Sequence, residues 1–238
     1  MRTQDQTAAR FTTTNWTLVR RAGFDRAGLE ELLAAYWSPI YAYLRRSGHT
    51  PQDASDLTQS FVLGKFLERD LAAAADRDLG RFRALVITCL KRFVIDEARR
   101  SARRPGEGAK ALPADTLDAI EPDTDATPEQ AFDRQWAAAT LHRGAELTRE
   151  HYLSNGLEDH WRIFETALLR PLLEGAARPS NAELARSREG MDPGRISAIV
   201  QTVKRTFQAR VTDTVASTLL DDGDAGDELA LLMRSLAV

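Results

Sequence analysis

Apolar residues recur along this chain at three- and four-residue intervals, with no sustained alternation that would mark a strand. Leu29, Leu32, Leu33, Tyr36, Ile40, Tyr43 and Leu44 share one face of a first long helix. Pro39 is expected to kink or split it near Trp37, and Gly48 to end it. Thr50-Pro51-Gln52-Asp53 reads as a helix start, with Thr50 as N-cap and Asp53 near the positive end of the dipole. Ala54, Leu57, Phe61 and Val62 form the core face that follows. A loop around Ala72 to Gly80 leads into a third helix carrying Phe82, Leu85, Val86, Cys89, Leu90 and Phe93.

Residues 104 to 126 break the pattern, with Pro105, Gly106, Gly108, Pro113 and Pro122 among acidic side chains. This reads as an extended linker. Periodicity resumes at Thr127-Pro128-Glu129-Gln130, laid out as a capping box before Phe132, Trp136 and Ala139. The next helix carries Trp161, Phe164, Leu168 and Leu172, with Pro171 expected to kink it near its end. Ser180-Asn181-Ala182-Glu183 is another capping box. It opens a short helix, then a turn, then a helix beginning at Asp192-Pro193 with a stripe of Ile196, Ile199, Val200, Val203, Phe207, Val211 and Val215. The expected fold is all-α. An N-terminal extension (1–23) precedes a first helical domain (24–104). A flexible acidic linker (105–126) joins it to a second domain (127–219) containing a helix-turn-helix, and an acidic tail (220–238) follows.

A net charge of −3 over 238 residues hides a segregation of charge. Between Lys110 and Arg134 every ionisable side chain is acidic, and Asp221, Asp222, Asp224, Asp227 and Glu228 cluster near the end. Against these stands the third helix. There Arg81, Arg92, Arg99 and Arg103 fall in a narrow stripe, about 90° round the axis from the apolar face. Guanidinium groups repeated along a helix suit a phosphate backbone, because they pair with phosphate oxygens without reading bases. The weakly acidic total implies that binding to free DNA is poor and needs a partner with more positive surface.

A short helix, a turn with glycine and a longer amphipathic helix form the helix-turn-helix pattern. Arg195, Ser197, Ala198 and Gln201 would meet base edges, and Lys204 and Arg205 would meet phosphates. The capped second helix presents Asp53, Asp56, Gln59 and Ser60 away from its apolar residues, a surface for a partner or simply a solvated face. Catalysis is not expected. His49, His142, His151 and His160 are scattered, with no HExxH helix, nucleophile elbow or Gly-rich phosphate loop. Cys89 alone supports neither a disulfide framework nor a metal cluster, and no cofactor is implied. With no signal-like or membrane-spanning apolar run, a cytoplasmic location is expected.

Three ordered stretches resemble the extracytoplasmic-function sigma factors of bacterial RNA polymerase. AYWSPIYAYLRRSGHTPQDASDLTQSFVLGKFL (35–67) is similar to their core-binding segment, its D-A-x-D-L-x-Q signature standing as Asp53, Ala54, Asp56, Leu57 and Gln59. RFRALVITCLKRFVIDEARRSARR (81–104) is similar to their promoter-melting helix, Asp96, Arg99 and Arg100 matching D-x-x-R-R. TPEQAFDRQWAAATL, HWRIFETALLRPLL and the helix-turn-helix are similar to the C-terminal domain of a sigma-like branch, as is the opening FTTTNWTLV (11–19). The recognition-helix stretch departs from the family's basic pattern, reading Gln201-Thr202-Val203-Lys204.

The resemblance implies that Asp53, Asp56, Leu57, Gln59 and Ser60 dock on the clamp helices of the polymerase β′ subunit. It implies that Arg81, Arg83, Lys91, Arg92, Arg99, Arg100 and Arg103 hold promoter DNA and its melted strand, while Arg195, Ser197, Gln201, Lys204 and Arg205 read an upstream element. The implied partners are core RNA polymerase and promoter DNA, with an anti-sigma factor as a further candidate and no membrane. The rival reading is a sigma-like or helix-turn-helix regulator that does not itself initiate transcription.

Overall fold

A computed structural model of the chain describes residues 26–67, 82–102, 126–188 and 191–217. The expected N-terminal extension, the loop 72–80, residues 105–125 of the linker, Arg81, Arg103 and the acidic tail lie outside them. All described elements are helical: α1 (Arg26–Arg46), α2 (Pro51–Phe61), a π-helical turn (Val62–Leu67), α3 (Phe82–Ala102), α4 (Pro128–Ser154), α5 (Glu158–Phe164), a second π-helical turn (Glu165–Leu169), α6 (Arg170–Glu174), α7 (Asn181–Arg186) and α8 (Pro193–Ala216). The all-α expectation holds for these residues.

Helix ends follow their local chemistry. Ser47 N–H donates to Tyr43 O, Gly48 N–H to Arg45 O and His49 N–H to Leu44 O, and Gly48 takes φ 95°. This left-handed cap closes α1, a conformation glycine adopts without a Cβ penalty. Gly156, at φ 68°, closes α4 in the same way. Thr50 Oγ1 accepts from Asp53 N–H at 3.1 Å, opening α2. Thr127 Oγ1 accepts from Gln130 N–H while Gln130 Oε1 accepts from Thr127 N–H, completing that capping box. Ser180 and Glu183 form the same reciprocal pair.

Hydrogen bonds from the Ser180 hydroxyl and backbone N–H hold the Glu183 carboxyl below its ordinary range. Its folded value lies below its unfolded one. The stabilisation is therefore present above the unfolded value and is lost as pH falls through the folded one. The stability difference between the wild-type chain and Glu183→Gln is expected to shrink as pH drops from neutrality to below about 4. Thermal unfolding at several pH values measures it, and a pH-independent difference contradicts it.

Proline does not split α1. The helix runs unbroken from Arg26 to Arg46 with Pro39 inside it. Proline costs a helix interior about 3 kcal/mol. Tyr36, Ile40, Tyr41, Ala42, Tyr43 and Leu44 are all buried around it. Burying each large apolar side chain contributes roughly 1.5–3 kcal/mol, enough to outweigh the lost hydrogen bond. Six consecutive buried residues, Pro39 to Leu44, also make this end of α1 apolar on every side.

The chain divides into two compact units. One takes in the described residues up to Trp136 together with those from Val215 on; the other is Ala137–Thr214. The first is built around Tyr36. Its ring meets Phe82 of α3 edge-on at 5.3 Å and Phe132 of α4 at 6.3 Å. Phe61 meets Phe93 at 5.4 Å, joining α2 to α3. Buried Thr58 donates its hydroxyl to Ala54 O at 2.7 Å, so it sits in the core without an unsatisfied group. The sequence places the start of α4 with the second domain. Its contacts place Pro128–Trp136 with the first unit, because Phe132 and Trp136 are buried there.

In the second unit the whole expected stripe of α8 from Ile196 to Val211 is buried. Phe207 meets Phe164 at 5.6 Å. The expected face of the preceding helix is only half right. Trp161 and Phe164 are buried, but Leu168 is half-buried and Leu172 exposed, while Ile163, Ala167 and Leu169 are buried instead. The π-helical turn accounts for this: its wider winding moves the apolar face on by about one residue. Proline at 171 lacks the N–H that an α-helical turn needs, so the chain widens before it rather than continuing a regular ladder.

Gly144 marks a close approach of α4 and α8. A Cβ there would lie 2.5 Å from Val211 Cγ2 and 3.4 Å from the Val211 backbone. Alanine improves helix propensity by about 1 kcal/mol, but overpacking costs about 1–3 kcal/mol, and a β-branched neighbour backed by its own main chain yields little. Gly144→Ala is expected to lower stability by up to about 2 kcal/mol in urea unfolding. A stabilised variant contradicts this packing.

Candidate nucleic-acid and polymerase interface

The first unit carries two contrasting outer surfaces. On α2, Asp56, Gln59 and Ser60 are exposed, while Asp53 and Leu57 are half-buried. Asp53 is engaged locally: Thr50 Oγ1 donates to its Oδ2 at 2.7 Å. Gln52 Nε2 approaches Asp56 Oδ2 at 3.4 Å, a loose contact one turn away. Leu63, just beyond α2, is 49 % exposed, an apolar group at the edge of a polar surface. Ile95 on α3 is similarly exposed.

On α3 the basic residues fall into two classes. Arg92, Arg99 and Arg100 project outward. Arg99 lies 3.6 Å from Asp96 and Arg100 lies 2.5 Å from Glu97, both pairs one helical turn apart and mostly exposed. Such pairs contribute about 0–1 kcal/mol, so another anion can replace the carboxylate cheaply.

Arg83 and Lys91 behave otherwise. The Arg83 side chain is only 11 % exposed; it pairs with Asp133 and its guanidinium lies 5.5 Å from the centre of the Trp136 ring. Here the structure departs from the expected DNA contact. The guanidinium is held inside the first unit by residues about fifty positions away, a partnership that periodicity on α3 alone does not reveal.

Lys91 Nζ meets Glu129 Oε1 at 2.8 Å. The hydrogen bond from Lys91 lowers the Glu129 carboxyl and, reciprocally, raises the Lys91 ammonium. Tyr43 is buried beside the pair. Its hydroxyl is raised, first by burial and then by the Glu129 charge. The Glu129 contribution to stability is present above its unfolded pKa and lost as pH falls through the folded one. That of Lys91 is present below its unfolded pKa and lost as pH rises through the folded one.

In the second unit Arg195, Gln201 and Arg205 of α8 are exposed, Ser197 and Lys204 half-buried. Gln201 and Arg205 lie away from the stripe of Ile196, Val200, Val203 and Phe207, while Ser197 and Lys204 flank it. Ahead of them α7 is a six-residue helix, and Asp192 Oδ1 accepts from Arg195 N–H at 2.9 Å to open α8. His160 stacks on Tyr152 with ring centres 6.3 Å apart, and His151 meets the same ring edge-on. Among the described residues no group of three or more His, Cys, Asp or Glu is placed to hold a metal ion. No described helix is long and apolar enough to cross a membrane. No family model, curated protein or solved structure matches the chain.

Proposed function

We propose that this chain is a sigma-type subunit that binds core RNA polymerase and directs it to promoters, in the manner of the extracytoplasmic-function factors that its motifs resemble. The observation that carries the reading is the division of surfaces in the first unit. One helix turns Asp56, Gln59 and Ser60 outward, and the next turns Arg92, Arg99 and Arg100 outward. A polar, mildly acidic helix beside an arginine-bearing one suits a subunit that must hold protein on one side and phosphate on the other.

In this reading α2 docks on the β′ clamp helices. The arginines of α3 take up phosphates of the strand that is exposed as the promoter opens. Extruding a base costs a few kcal/mol of stacking and pairing, so contacts made only on opened DNA drive melting. In α8, Arg195 and Gln201 read base edges of an upstream element and Arg205 holds a phosphate. Arg83 is assigned to packing rather than to DNA.

Run-off transcription with core polymerase on genomic fragments tests the proposal. Discrete transcripts that require the added chain are expected, and their start points also give the promoter sequence. Association with core polymerase without any such transcript would favour the non-initiating, sigma-like adaptor instead.

A further inference from the structure

Glu129 and Asp133 stand four residues apart at the start of α4, hence on one face of that helix. Both reach basic residues of α3: Asp133 pairs with Arg83 and Glu129 with Lys91. The two contacts differ in kind. The Arg83 pair is largely buried and lies against Trp136, so it acts as an anchor. In the Lys91 pair the side chains are 51 % and 37 % exposed, so water and solutes reach it. The anchor holds the first turn of α4 against α3 and thereby keeps the Glu129 carboxylate at the Lys91 ammonium.

We propose that Glu129 occupies on Lys91 the place of a nucleic-acid phosphate, so that the first turn of α4 competes with DNA for a cation of α3. The inference rests on the reading of α3 as a DNA-facing helix. Its test, however, uses no polymerase, so its failure and that of the proposed function are distinguishable. A carboxylate and a phosphate oxygen present the same acceptor to an ammonium group. The intramolecular acid is always at hand, so duplex DNA must displace it. Because the pair is exposed, its displacement is cheap, and the effect is a graded reduction of affinity rather than a block.

The test is a double-mutant cycle on the full chain, with binding to a random-sequence duplex followed by fluorescence anisotropy at low salt. Glu129→Gln is expected to tighten binding by about two- to fivefold. Lys91→Gln alone should weaken binding, but by less than the same change made in the Glu129→Gln background, because Glu129 already takes up part of the ammonium's attraction in the wild-type chain. In the double variant the gain from Glu129→Gln should vanish. Glu150→Gln is the charge control: this exposed acid on the same helix is removed from the same net charge. An equal gain in Glu150→Gln, a gain that persists in the double variant, or no gain in Glu129→Gln overturns the proposal. The exposure of the pair keeps Glu129→Gln within reach of the folded state, and thermal unfolding of each variant confirms that the comparison is between folded chains.

Discussion

Replacing Phe132 with alanine is expected to destabilise the first unit by about 3–5 kcal/mol, a large part of the stability of a typical domain. Phe132 is fully buried and its ring lies 6.3 Å from that of Tyr36, itself fully buried and in contact with Phe82. Truncation removes apolar burial and leaves a cavity where α1 and the start of α4 meet, and these large neighbouring rings cannot collapse to fill it. The effect should reach beyond α4. Amide hydrogen exchange in α1 and α3 should accelerate in Phe132→Ala, because both helices share this core. Unchanged protection in α1 and α3 would mean that Pro128–Trp136 are not part of the first unit.

The second large effect concerns α3. Replacing Arg99 and Arg100 together with alanine is expected to lower open-complex formation about a hundredfold while leaving core binding unchanged. Charge-assisted hydrogen bonds contribute about 1.5–3 kcal/mol each, and two lost at the lower limit give roughly two orders of magnitude. The fold should survive. The two side chains are 70 % and 72 % exposed and pair with carboxylates one turn away, so the cost in stability stays within about 0.5 kcal/mol. Permanganate footprinting of melted promoter, beside a core-binding titration on the same preparation, separates the two effects. Equal losses in both would mean that these arginines hold polymerase rather than DNA.

Local chemistry made much of the fold legible in the sequence. Thr50, Thr127 and Ser180 cap helices through side chains that reach their own backbone three residues on, and Gly48 takes a left-handed conformation that its neighbours determine. The α8 stripe was readable because nothing interrupts its period. The π-helical turn before Pro171 was not, since a winding defect of one residue leaves no mark in the pattern until the helix has moved past it. Leu172 therefore faces outward where Leu169 is buried.

The candidate site divides along the same line. Asp56, Gln59, Ser60, Arg92, Arg99 and Arg100 are exposed, as a polar position on an amphipathic helix implies. Arg83 stands two residues beyond the arginine stripe's first member, yet it is engaged by Asp133 and Trp136. Only a partner distant in the chain decides whether a guanidinium faces solvent or an internal carboxylate. Charge spacing on one helix carries no information about that partner. Pro39 shows the same thing in reverse: its local cost and the apolar face of Tyr36, Ile40, Tyr43 and Leu44 were legible, whereas the burial of Tyr41 and Ala42 on the other sides of the helix was not.

The most direct test is association of the purified chain with core RNA polymerase, read on a sizing column at low salt. Co-elution with the core enzyme is predicted, together with a shift toward separate elution when Asp56 and Gln59 are both replaced by alanine. Separate elution of the unaltered chain would contradict the account.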